Sequence, residues 1–282
     1  MSETGRPDIA GVRRLMHLTA LALVPGLALG ALYGSAVAQA NIAVCLAAAA
    51  VSAVATDPRL RAMPRRLSTG DGSTLLTALL LAAVLPPAAS WYVALLATAS
   101  AILLGKAAYG GLGRNPYNPA MVGIALSTLA FPGAFAPSPP NALVGAAFAC
   151  GGLFLLLRGV ITWHAPICML VAHGACVVIA LGAGLDPRSA AVSGTMLAGA
   201  LPLYAFFFVT DPVTGATART GQIVFGASVG LLTYIGQAFA THPAAAAYAV
   251  LLANAAVPLI DRLTLRAPRR RTADDNESNQ TP

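Results

Sequence analysis

The sequence predicts an all-α polytopic membrane protein with about ten transmembrane helices, arranged as two inverted five-helix repeats. Three observations carry that expectation. Apolar residues make up 57% of the 282 and charged residues only 10%, with a mean hydropathy of +0.73. A soluble domain carries about a quarter charged residues, so lipid must cover most of this surface. The apolar residues also fall in ten runs, and the basic residues gather in the breaks that would face one side of a bilayer.

The runs lie near residues 15–33, 37–55, 73–86, 91–105, 119–131, 143–157, 165–182, 195–209, 223–239 and 244–260. The first follows Arg13 and Arg14 but lacks a small-residue cleavage site and is followed at once by the second, so it reads as a span rather than a signal peptide. The third ends at Pro86-Pro87, and the fifth begins inside an Asn-Pro cluster. Both are shorter than the roughly 20 residues of a straight crossing. Broken segments of this kind are tolerated only where protein or a polar cavity satisfies the freed backbone groups.

With an even number of spans and a cytoplasmic N-terminus, sixteen of the seventeen Lys and Arg residues fall inside, and only Arg188 falls outside. Both termini are then cytoplasmic. Trp91, Tyr92 and Trp163 sit at span edges, where aromatic rings are favoured. Residues 1–14 form a cytoplasmic segment. Residues 15–262 form one transmembrane domain, with half-repeats of about 15–131 and 143–260. Residues 263–282 form a charged tail expected to be disordered.

The formal charge of +7 does not indicate nucleic-acid binding, because no aromatic-interleaved basic face accompanies it. The four cysteines form no C-x-x-C pair, and the four histidines lack carboxylates at ligand spacing, so no metal centre is expected. No Asp or Glu falls mid-span.

The most informative stretch is GKAAYGGLGRNPYNPAMVG, residues 105–123. Gly110, Gly111 and Gly113 permit left-handed backbone and close approach, and Pro116 and Pro119 hold Asn115 and Asn118 extended. The product is a rigid, unwound elbow leading into the fifth span. It reads either as a helix-breaking loop whose asparagines cap the next helix, or as a polar cradle for a ring system or an ion. A second such loop, 210–222, is also rich in Gly, Pro and Thr and also carries arginine. Two like elbows suggest paired halves with a site at their interface. Lys106, Arg114, Asp211 and Asp261 fall near inner span ends. Lys106 or Arg114 is a candidate to pair with Asp211, to meet an electron-rich ring edge, or simply to anchor at the interface.

The motif YGGLGRNPYNPAMVG resembles that of the D-subunit family of the Rnf ion-translocating electron-transport complex. The B subunit of the sodium-pumping NADH:quinone reductase is a relative of that family. The blocks FFFVTDPVTGATARTGQIVFG (206–226) and AYAVLLANAAVPLIDR (247–262) agree in order and spacing, so the resemblance covers nearly the whole chain. It implies an integral flavoprotein of the bacterial inner membrane. Such a subunit works with other membrane and peripheral subunits to relay electrons between ferredoxin and NAD, coupled to sodium or proton movement. It further implies that Gly111, Gly113, Asn115, Asn118, Asp211 and Thr214 hold the flavin, with non-covalent riboflavin one form of it. In the family a covalent FMN sits on a threonine in the outer loop between the fifth and sixth spans. That loop here is PGAFAPSPPN, residues 132–141, which has no threonine. Thr217, in DPVTGAT, and Thr195, in Ser193-Gly194-Thr195, are the remaining hydroxyls for a covalent FMN. Thr217 falls on the inner side, and Thr195 has the simpler role of capping a helix. A redox-inactive small-solute channel or transporter with the same inverted-repeat fold is the alternative.

Overall fold

A computed structural model of the chain describes residues 9–55, 72–111, 113–135, 141–184, 200–240, 242 and 244–265. Among them, besides two short 3₁₀ turns (Ala107–Tyr109 and Pro132–Phe135), are ten longer helical elements in chain order: α1 (Ile9–Tyr33), α2 (Ala36–Ala55), α3 (Ser73–Val84), α4 (Trp91–Leu103), α5 (Pro119–Ala130), α6 (Ala142–Leu157), α7 (His164–Gly182), α8 (Leu201–Leu203, continued as a π-helical turn over Tyr204–Phe208), α9 (Arg219–Ala238) and α10 (Ala245–Thr264). They follow the ten apolar runs one for one, and no strand occurs among the described residues. The chain is a multi-span membrane protein. Helices α1, α2, α7, α10 and α4 with the turn after it are long and apolar enough to cross a bilayer. At 1.5 Å per residue, α3 and α5, with 12 residues each, reach only about 18 Å, well short of the roughly 30 Å hydrocarbon core.

The bounds differ from the apolar runs in instructive places. α9 begins at Arg219, four residues before the run, because Arg, Thr, Gly and Gln lower hydropathy without forbidding helix. α10 continues past residue 260 to Thr264 and carries Pro258 inside it. Of the eighth run, residues 195–199 lie outside the described residues, Thr195 among them. Its described part is short and passes from α-helix into a π-turn, closed by the Val209 amide donating to the Tyr204 carbonyl at 3.0 Å. Such turns arise where one extra residue is accommodated, often at functional sites. This one buries Tyr204, Phe206, Phe207 and Phe208 together.

Helix association in lipid relies on close packing of small residues. α9 lies along α7 and α10, α4 along α5 and α2, α3 along α1 and α2, and α1 along α6. The α7–α9, α4–α5 and α1–α6 contacts are made at glycines. A Cβ at Gly226 or Gly230 of α9 would overlap the carbonyls of Ala165 and Met169 on α7, and one at Gly123 of α5 would overlap that of Ala97 on α4. Gly152 and Gly26 leave room for the rings of Phe206 and Phe148. At the far ends of α4 and α5, Tyr92 meets Phe131 edge to face at 5.2 Å.

Candidate functional site

The first elbow is the segment between α4 and α5. Lys106 starts a short 3₁₀ turn over Ala107–Tyr109. Gly110, Gly111 and Gly113 then adopt φ of 92, 97 and 83°, the left-handed region that a side chain enters only at a cost. Gly113→Ala meets no steric neighbour, so its cost is conformational alone, about 1–2 kcal/mol. That is checked as a lower thermal midpoint of the purified chain in detergent. The elbow ends at Asn118, whose Oδ1 accepts from the amides of Ala120 at 3.1 Å and Met121 at 3.3 Å. With Pro119 at the first helical position, this is a complete start for α5.

The second elbow follows the π-turn. Asp211 organises it: Oδ1 accepts from the Val213 amide at 3.0 Å, and Oδ2 from the Thr214 hydroxyl at 3.1 Å. The two elbows meet at this carboxylate, because Asn118 Nδ2 donates to Asp211 Oδ2 at 2.9 Å. Burial pushes the Asp211 carboxyl above the usual carboxylate value, against the opposing pull of its bonds from Val213, Thr214 and Asn118.

Helix α10 backs both elbows. Asn254, 2% exposed and halfway along the helix, accepts from the Asn118 amide at 3.1 Å and donates to the Thr214 carbonyl at 2.9 Å. Pro258 has no N–H to give the Asn254 carbonyl four residues earlier, so the regular helix ladder is interrupted at this residue. Further along, Asp261 takes both the amide and the hydroxyl of Thr217 at 2.9 Å. The Thr217 hydroxyl is thus already engaged, outside the cleft described next.

Between the elbows opens a cleft with about 100 Å³ of space for water-sized molecules, open at its mouth. Its lining comes from the start of α1 (Leu15, Met16), the start of α3 (Ser73, Leu76, Leu80), Lys106, Asn115, Asn118, the α6–α7 connection (Val160, Ile161), Phe207 and Asp211. These are the beginnings of odd-numbered helices and the ends of even-numbered ones. Alternating spans bring such ends to one face, the face of the chain's N-terminal segment. Met16, Leu76, Leu80 and Phe207 make the lining apolar, and the Phe207 ring is steadied edge to face by Phe148 at 6.2 Å. Lys106, Asn115, Asn118 and Asp211 supply the polar groups. The Lys106 ammonium is nearly buried and donates to the hydroxyls of Ser73 and Thr74 at the start of α3. Asn115 donates through Nδ2 to the Tyr117 carbonyl at 3.0 Å, while its buried Oδ1 accepts no hydrogen bond.

Of the six residues named from the sequence, Asn115, Asn118 and Asp211 line this cleft. Thr214 stands behind Asp211, and Gly111 and Gly113 shape the turn. Arg114 is exposed and is not among the lining residues. Sequence reasoning missed Asn254, although a lone amide in an otherwise apolar helix is a usable signal. It also missed the contribution of α1 and α3, whose lining residues are ordinary members of apolar runs. Among the described residues no group of His, Cys, Asp or Glu could hold a metal ion.

A family model for the NQR2, RnfD, RnfE family matches the chain over residues 8–146 and 140–269. The D subunit of the ion-translocating oxidoreductase complex of Pseudomonas aeruginosa is 37% identical over 313 residues, covering 89% of this chain and 89% of that protein. The corresponding protein of Cronobacter sakazakii, which carries the same name, is 35% identical over 333 residues, covering 89% and 93%. That of Yersinia pestis is 32% identical over 330, covering 89% and 92%. On its matched length and on the elbows described above, the chain belongs to the NQR2, RnfD, RnfE family.

Proposed function

We propose that the chain is the D-type membrane subunit of an ion-translocating oxidoreductase complex in a bacterial inner membrane, with both termini cytoplasmic, and that the cleft between its elbows holds a non-covalent flavin. The observation that carries the flavin reading is the composition of the cleft. An isoalloxazine is a flat ring with an apolar end and a polar, hydrogen-bonding edge. The cleft offers apolar residues, a set of polar groups typical of small-molecule sites, and a buried acceptor with no partner, Asn115 Oδ1. A buried polar atom left unpaired costs about 1–3 kcal/mol, which a ring N–H would relieve. The bound flavin would supply electron transfer. The protein's own residues would do the rest. Phe207, Leu76, Leu80 and Met16 exclude water, Asn118 and Asp211 fix the elbows, and Lys106 places positive charge near the ring's electron-rich edge.

The inverted repeat has support in how the helices pair. The contacts α2–α4, α4–α5 and α1–α3 have counterparts in α7–α9, α9–α10 and α6–α8. An inverted repeat exchanges the two faces of the membrane, whereas both elbows line a cleft on one face. The elbows are then not repeat counterparts, contrary to what their similar composition suggests. The counterparts of the α4–α5 and α8–α9 connections are the α9–α10 and α3–α4 connections on the opposite face.

Purification of the tagged chain from a host that makes the complex tests the proposal. Co-isolation of the other subunits and a flavin absorbance band near ~450 nm, lost to the supernatant on acid precipitation, are expected. A colourless chain that isolates alone and conducts a small solute in liposomes would overturn it in favour of a channel. The raised Asp211 carboxyl adds a pH signature. Its folded form holds a proton more tightly than the unfolded chain, so its contribution to stability is full below the ordinary value of 3.8 and declines as pH rises through the raised value. Asp211→Asn removes that declining segment from a thermal-midpoint profile against pH. An unchanged profile would show that Asp211 does not titrate in this window.

A further inference from the structure

We infer that Asn254 is a positioning residue that sets the separation of the two elbows, and through it the fit of the cofactor, without itself touching the cleft. The inference rests on the flavin reading above and extends it to a residue outside the binding surface. Three observations carry it. Asn254 is the point at which one side chain bonds the backbone of both elbows: its Oδ1 takes the Asn118 amide, and its Nδ2 reaches the Thr214 carbonyl. The same two residues converge on Asp211 from the cleft side, through Asn118 Nδ2 and the Thr214 hydroxyl. The elbows are therefore closed into a ring of hydrogen bonds, with Asp211 at the cleft and Asn254 behind it. Asn254 is also absent from the cleft lining, so its effect on a bound ring must pass through Asn118 and Thr214.

An amide is the side chain this place requires. One acceptor must face an N–H and one donor must face a carbonyl, and Asn supplies both from a single planar group. Leucine of similar size leaves the Asn118 N–H and the Thr214 carbonyl without these partners. Aspartate keeps the acceptor but, when ionised, offers no donor to Thr214. The two substitutions should therefore loosen different elbows: Asn254→Leu both, and ionised Asn254→Asp the second alone.

The test uses the intact chain in detergent. Amide hydrogen exchange is followed by mass spectrometry over peptides spanning 113–121 and 210–218, together with riboflavin affinity by fluorescence titration. The control is Asn41→Leu. Asn41 is an equally buried asparagine that donates to the Ala89 carbonyl far along the chain from either elbow. In Asn254→Leu, both peptides are expected to exchange at least tenfold faster and riboflavin to bind at least tenfold more weakly. In Asn254→Asp, acceleration is expected in the second peptide alone. Asn41→Leu should change neither elbow nor riboflavin affinity. Unchanged elbow exchange in Asn254→Leu would overturn the positioning role, as would unchanged riboflavin affinity with loosened elbows, or equal losses in Asn41→Leu. A wild-type chain that binds no riboflavin would instead overturn the flavin reading, and the exchange measurement would still decide whether Asn254 sets the elbows.

Discussion

Asn118→Leu is expected to remove the bound flavin and to lower stability by roughly 3 kcal/mol. Removing the side-chain cap from α5 costs about 1 kcal/mol, because the amides of Ala120 and Met121 lose their acceptor. Removing Nδ2 takes one of three hydrogen bonds from the half-buried Asp211 carboxyl, and hydrogen bonds to charged groups contribute about 1.5–3 kcal/mol each. The two losses act at one residue but on different elements, so a second substitution separates them. Asn118→Asp retains the cap and places a second carboxylate against Asp211. Two carboxylates in one site share a proton, so this variant should be most stable at acid pH and lose stability as pH rises. Thermal unfolding at several pH values, with flavin retention read by absorbance, checks both variants. An Asp variant whose stability does not change with pH and exceeds that of Leu by the cap alone would show that the contact with Asp211 contributes nothing.

Gly226→Leu is expected to prevent α7 and α9 from packing. The added side chain would need the space held by the Ala165 backbone. Overpacking against movable side chains costs about 1–3 kcal/mol, and a backbone carbonyl within a helix cannot step aside. The expected outcome is loss of the monodisperse peak in size-exclusion chromatography and poor expression in the membrane. Gly30→Leu, at a helical position with nothing within 4 Å, adds the same volume and should be neutral. Loss of folding in both would trace the effect to removal of glycine itself rather than to the α7–α9 contact.

How far the sequence revealed this arrangement depends on the kind of interaction. The ten helical elements were legible because the cost of exposing backbone to hydrocarbon forces long apolar runs into helix, and hydropathy reports those runs directly. The elbows were legible because Gly110, Gly111, Gly113, Pro116 and Pro119 have few other uses in such a place. Their meeting was not. It depends on Asn118 reaching Asp211, 93 positions away, and on Asn254 bonding both, which no local pattern encodes. The early start of α9 was hidden because hydropathy measures preference for lipid and not for helix. The similar composition of the two elbows suggested repeat counterparts, whereas their arginines place both on one face of the membrane, and an inverted repeat would put counterparts on opposite faces. The motif around Thr217 left open an acceptor or a structural role, and in the fold its hydroxyl donates to Asp261, linking the second elbow to α10.

The most direct measurement is a density map of the purified chain loaded with riboflavin. The account predicts flat ring density in the cleft lined by Leu80, Phe207, Asn115 and Asp211, with a polar atom of the ring within hydrogen-bond distance of Asn115 Oδ1. Ring density elsewhere in the molecule, or elbows closed against each other with no density between them, would contradict it.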